Sequence, residues 1–198
     1  MNSSLFSLFK EKIYFMNTII LIVVWSTCAY SFYFTEFYMK YVPVSNIYYL
    51  ALIMGSSDFI SSFIFNILKR YLSSKQMVIV LSGGLAAFSF VFSLTLFING
   101  NEENLSIGLE IFYTAMIFGM RFFSAITFMT AYYCNNEYFP TLLKGAIFAI
   151  TNIAARLASV MSPLVAEWMS NPSITVSVCA LIASLATFKL NKEEISSQ

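Results

Sequence analysis

Six apolar stretches, each about 20 residues long, follow one another with only short polar breaks between them. A helix needs roughly 20 predominantly apolar residues to cross a hydrocarbon core of about 30 Å. The stretches predict spans at 17–39, 46–68, 77–98, 107–134, 145–168 and 172–190. Between them lie a turn with Pro43, a polar break at 69–76, an Asn/Glu-rich loop around Gly100, and a polar loop at 135–144 holding Pro140. Pro172 opens the last span. Composition agrees, since 59% of residues are apolar and 11% charged, against about 25% charged in soluble domains. A soluble globule of this size cannot hide so much apolar surface. The expected fold class is an all-α membrane protein, a six-transmembrane-helix bundle with short loops joining antiparallel neighbours. Residues 1–16 are expected as a cytosolic tail or an interfacial helix, 17–190 as the transmembrane domain, and 191–198 as a cytosolic tail.

Charge sets the orientation. With the N-terminus in the cytosol, the inner segments hold Lys10, Lys12, Lys69, Arg70, Lys75, Lys144, Lys189 and Lys192, and the outer ones only Lys40. This is a positive-inside pattern, and it requires an even number of spans. Residues 19–29 have the outline of a signal peptide, but apolar character continues to Phe37, so the segment reads as a span. The chain is therefore expected as a multi-pass integral membrane protein of the plasma membrane or of an organelle.

Whole classes of chemistry lack their residues. The chain has no His, which removes the usual zinc sites, the Ser-His-Asp triad and a His proton shuttle. Cys28, Cys134 and Cys179 fall in or beside apolar runs and read as packing residues. There is no Gly-rich phosphate loop. An enzyme is not expected, nor a cofactor or a metal. A net charge of +1 argues against general attraction to nucleic acid.

Three charges fall near mid-membrane: Asp58, Arg121 and Arg156. Each costs about 2.5–3.5 kcal/mol at the centre of a span. Such groups pair with each other or face an aqueous cavity. One reading is an ion pair of Asp58 with either arginine, locking the bundle. The other is a substrate or proton site, in which two arginines against one aspartate leave a positive charge for an anionic ligand.

The segment Asn136-Glu137-Tyr138-Phe139-Pro140-Thr141-Leu142-Leu143-Lys144-Gly145 resembles the E-L-Y-P-T-x-x-R signature of the organic anion and cation transporter family, within the major facilitator superfamily. Ala155-Arg156-Leu157-Ala158, followed by Pro163, is similar to that family's A-R-V-G-x-x-x-x-P. Ser45-Asn46-Ile47-Tyr48-Tyr49-Leu50 and Gly55-Ser56-Ser57-Asp58 resemble its N-I-Y-L and the following acidic position, and Trp25 with Phe32-Tyr33 falls in register with its seventh helix. The likeness covers residues 17–190, the C-terminal six-helix half of such a transporter.

The resemblance implies a substrate cavity between two six-helix halves. It gives Arg156 the role of the arginine that meets the substrate's negative group in anion-transporting relatives. It places Tyr33, Phe128 and Tyr132 at aromatic cavity positions and Arg121 at a basic position of the tenth helix. Asp58, Glu137 and Lys144 become gating or structural charges. The sequence also departs from the family pattern. Lys144 replaces an Arg, Ser62 stands where anion transporters often have Lys, Ala158 replaces a Gly, and the basic loop is reduced to residues 69–75.

The expected function is transmembrane transport of a small organic ion, preferably an anion, by alternating access. The expected partners are the lipid bilayer, the small organic ion, and a second six-helix half or the subunits of a membrane complex. The alternative is a transport-inactive, transporter-derived structural subunit of such a complex. The topology has a direct check in cysteine-accessibility labelling at Asn101 and Ser196. The loop position is expected to label from outside and the C-terminal one only after permeabilisation; equal external labelling at both would reject both-termini-in.

Overall fold

A computed structural model describes residues 11–42, 44, 46–99 and 106–191. Among these the chain is all-helical: α1 Lys12–Tyr38, a 3-10 turn Met39–Tyr41, α2 Ile47–Tyr71, α3 Ser74–Asn99, α4 Ile107–Tyr138, α5 Thr141–Trp168 and α6 Ser173–Thr187. The first five are long and apolar enough to cross a membrane, and α6 is a shorter apolar helix. This is consistent with a multi-pass integral membrane protein.

Local chemistry fixes the helix ends. The Asn46 side chain accepts from the Tyr48 N–H at 2.9 Å, capping α2, and Ser106 does the same for Leu109 at the start of α4. Pro140 holds Phe139 extended (φ −127°, ψ 143°), so α4 stops at Tyr138 and α5 begins at Thr141. The break expected at 135–144 is thus only two residues wide, and the one expected at 69–76 closes to Leu72 and Ser73. Polar residues there end the apolar run but not the helix, because helix propensity does not fall at Lys, Arg or Glu. For the same reason α1 starts at Lys12 rather than at 17, so residues 12–16 are helical and continuous with the first apolar helix. Residues 1–10 and 192–198, the rest of the two expected tails, lie outside the described residues. Helix α6 ends at Thr187, three residues before the expected 190.

α1 and α4 pack against each other at the centre of the bundle. α5 flanks α1, α2 flanks α4, and α3 packs with α6 across the back. One buried cluster, containing Leu21, Trp25, Cys28, Ala131, Cys134 and Ile147, fills one end of the bundle. A second, containing Phe34, Leu85, Phe92, Tyr113, Met120 and Val176, fills the other. Hydroxyls cross between helices to backbone carbonyls: Ser124 to Cys28 at 3.0 Å, Ser177 to Ala86 at 3.0 Å and Ser184 to Ile79 at 3.1 Å. Each contributes about 0.6 kcal/mol in lipid. Lys75 Nζ donates to the Phe188 and Leu190 carbonyls, both at 2.8 Å, and so satisfies the end of α6.

Two glycines set the approach of α3 to α4. The Phe123 ring of α4 seats where a Cβ on Gly84 would stand, 2.6 Å from it, and the Phe88 ring of α3 seats against Gly119 in the same way. The two rings then meet at 5.3 Å between centroids. Gly119→Ala is expected to push Phe88 out of its seat and lower stability by about 1–3 kcal/mol, read as a fall in the thermal midpoint in detergent. Adding Phe88→Leu should recover most of that loss. A Gly119→Ala protein as stable as the parent would reject this interlock.

Candidate functional site

Along α1, Trp25, Ala29, Phe32 and Glu36 recur at helical spacing and form one stripe on the side of the bundle away from α3 and α6. Phe32 divides the stripe into two sites.

The first site is ionic. Arg121 of α4 is 5% exposed, and its guanidinium is held from two helices, α1 and α2. Nε donates to both Asp58 carboxylate oxygens at 2.9 and 3.2 Å, and Nη2 to Asp58 Oδ2 at 2.9 Å. Nη2 also donates to Glu36 Oε1 at 3.0 Å, and Nη1 to the Phe32 carbonyl at 2.9 Å. The guanidinium carbon lies 3.2 Å from the Phe32 ring centroid. Asp58 is therefore paired with Arg121, one of its two expected candidates, and not with Arg156. Two carboxylates around one guanidinium leave this group with a charge of −1. A cavity of about 250 Å³ opens beside it, lined by Met39, Ala51, Met54 and Gly55 as well as the three charged residues. The structure does not bring Arg121 together with the aromatic residues expected to share its site.

The second site lies on the other side of Phe32, between α1, α4 and α5. Trp25, Phe32, Tyr33, Phe128, Tyr132, Asn152, Arg156 and Ser159 line a cavity of about 240 Å³. Trp25 is fully buried and anchors the aromatic wall, 4.5 Å from the Tyr132 ring and 6.0 Å from Phe128. Its Nε1–H is buried with no hydrogen-bond acceptor among the described residues. Arg156 Nη1 donates to the Tyr33 hydroxyl at 3.2 Å. Among the described residues no carboxylate lies within ion-pair distance of Arg156. It sits mid-way along α5, roughly 18–22 Å from either helix end at about 1.5 Å per residue. Four expected site residues, Arg156, Tyr33, Phe128 and Tyr132, thus meet around one cavity.

Glu137 and Lys144 stand on the last turn of α4 and the first turn of α5, on either side of the Phe139-Pro140 break. Asn135 Nδ2 donates to the Lys144 carbonyl at 3.3 Å and ties the two turns together. Lys144 makes no ion pair among the described residues.

Sequence reading missed Glu36, Asn152 and Ser159. Glu36 lies three residues from the expected end of its span and so reads as an interfacial charge; its place one turn after Phe32 was the available signal. Asn152 and Ser159 flank Arg156 on α5 at i−4 and i+3 and could have been found from that spacing alone. No protein-family model matches the chain, and no curated protein matches it.

Removing Arg121 strands two carboxylates. Arg121→Ala is expected to lower stability by about 3 kcal/mol, the low end for a broken buried pair, because Asp58 keeps 35% of its side chain exposed. Asp58→Ala added to it should restore part of the loss. Denaturation in detergent reads both, and additive losses in the double variant would reject the clamp.

Proposed function

We propose that this chain is one half of a major-facilitator-type transporter of small organic anions, working by alternating access against a second six-helix half. The observation that carries the reading is the unpaired guanidinium of Arg156 at mid-helix beside an aromatic cavity. Nothing in the described bundle neutralises it, because Asp58 and Glu36 are both committed to Arg121. A carboxylate is its natural counter-ion, taken in two parallel N–H···O bonds by the planar fork. Tyr33 orients the guanidinium through its hydroxyl. Trp25, Phe128 and Tyr132 supply apolar walls for an organic body, and the Trp25 indole N–H offers a further donor for an oxygen on the ligand.

In this reading Arg121 serves the site indirectly, by holding Phe32 as the partition between the cavity and the acidic cluster. Lys144, at the α4–α5 turn beside Glu137, is placed to meet the opposite half when the cavity closes at that end. Arg156 exchanges its partners as the site empties and fills, so the substrate's charge crosses mid-membrane already matched.

Uptake of a labelled dicarboxylate into liposomes carrying the assembled transporter tests this. Arg156→Lys keeps the charge but loses the fork. A lost charge-assisted hydrogen bond costs about 1.5–3 kcal/mol, so KM is expected to rise about 10–100-fold. Arg156→Ala is expected to abolish saturable uptake. Saturable uptake with unchanged KM in Arg156→Ala would end the case for the anion site.

A further inference from the structure

The open face of the bundle carries a charge pattern that matches itself. Arg156 lies on α5, on one flank of α1, surrounded by the exposed apolar side chains of Ile153, Leu157 and Val160. Glu36 and Asp58 lie on the other flank, toward α2, with 45% and 35% of their side chains exposed. Lipid cannot cover such a face, because it offers neither hydrogen bonds nor counter-ions to a mid-helix guanidinium.

We propose that the second half is a second copy of this chain, packed face to face so that Arg156 of each copy meets Glu36 of the partner subunit. This deepens the proposed function by naming its missing half; it rests on that reading only where substrate is concerned.

The argument is one of symmetry and depth. Two copies inserted in the same orientation form a closed pair only about an axis along the membrane normal. That rotation keeps every group at its own depth and exchanges the two flanks. It therefore sets the positive flank of one copy opposite the acidic flank of the other, twice over. Two ties between α1 and α5 bound the depth offset: counted from Arg156–Tyr33, Glu36 stands about 4.5 Å further along, and counted from Lys40–Glu167 about 10 Å. An arginine and a glutamate reaching toward each other span that range. The acidic cluster carries −1 and Arg156 +1, so the pair closes without net charge in its seam. An anion entering the cavity competes with Glu36 of the partner subunit for the same guanidinium, which couples loading of the site to loosening of the seam.

The test uses two differently tagged copies co-reconstituted in liposomes, with energy transfer between them as the readout. The wild-type chain is expected to pair with itself. Arg156→Glu alone and Glu36→Arg alone should each weaken self-pairing at least tenfold, since each sets like charges together at both contacts. Mixed with one another, the two variants restore opposite charges at one contact and keep the native pair at the other, and should associate as tightly as wild type. Copies with Leu157→Cys and copies with Ala51→Cys, all native charges kept, should also cross-link to each other, so the outcome does not depend on how the charge variants fold. A monomeric wild-type chain overturns the proposal. So does a pair that neither charge variant weakens, or one whose Leu157→Cys and Ala51→Cys copies do not cross-link. Equilibrium binding of the labelled dicarboxylate separates the two readings. Binding without pairing rejects the second copy alone, and pairing without binding rejects the anion site alone.

Discussion

The grip of Asp58, Glu36 and the Phe32 carbonyl on Arg121 decides how the rest of the bundle is used. It joins α1, α2 and α4 at a single guanidinium. Within one chain it also occupies the two acidic side chains that could have answered Arg156. Because α2 touches the bundle mainly through α4, with most of its surface exposed, this clamp is its chief polar attachment. The same contact holds the Phe32 ring against the guanidinium, 3.2 Å from ring centroid to guanidinium carbon. Phe32 so placed lies between two cavities of opposite character, one acidic, the other aromatic with a single cation.

Packing on the far side works on a different principle. Apart from Lys75 on the carbonyls at the end of α6, the contacts described above between α3, α4 and α6 are uncharged, and apolar attraction between helices is weak where lipid is equally apolar. Close approach takes its place. The Phe123 and Phe88 rings sit over Gly84 and Gly119, and serine hydroxyls reach neighbouring carbonyls. These contacts make the back of the bundle rigid and leave the front, where α2 and α5 expose most of their surface, free to meet another body.

Much of this was legible in the sequence, and the misses have a common cause. The order of the apolar helices and five of the six expected spans follow from run length, since a bilayer core sets a minimum that few soluble helices meet; α6, with 15 residues, falls short of it. Some helix ends did not follow, because apolar character stops where the hydrocarbon stops while the helix continues through Lys69-Arg70 and through Asn135-Asn136-Glu137. Ends set by backbone or capping chemistry did follow, at Asn46, Ser106, Pro140 and Pro172, as did the end at Trp168. At the site, Arg156, Tyr33, Phe128 and Tyr132 were gathered by resemblance and do surround one cavity. The partner of Asp58 was not decidable from one sequence. Depth along the span allowed either arginine, and the choice depends on which helix α2 packs against, a tertiary fact.

The division of labour between the two arginines has a physical basis. Arg121 has its Nε and Nη2 donors on carboxylates and an Nη1 donor on a carbonyl, and is almost wholly buried. Displacing any one partner would leave charge uncompensated in a medium of low dielectric, so it is a poor group to offer a ligand that must leave again. Arg156 has one neutral partner, a tyrosine hydroxyl, and open space beside it. A neutral hydrogen bond is worth about half a charge-assisted one, so an incoming carboxylate gains more than the site gives up. Release remains possible because Tyr33 stays in place to receive the guanidinium again. Under the proposed function a transport site needs this balance of modest resting satisfaction and strong but reversible pairing. Of the two mid-helix arginines, Arg156 is the one that has it, because within one chain the acidic residues of α1 and α2 are held by Arg121.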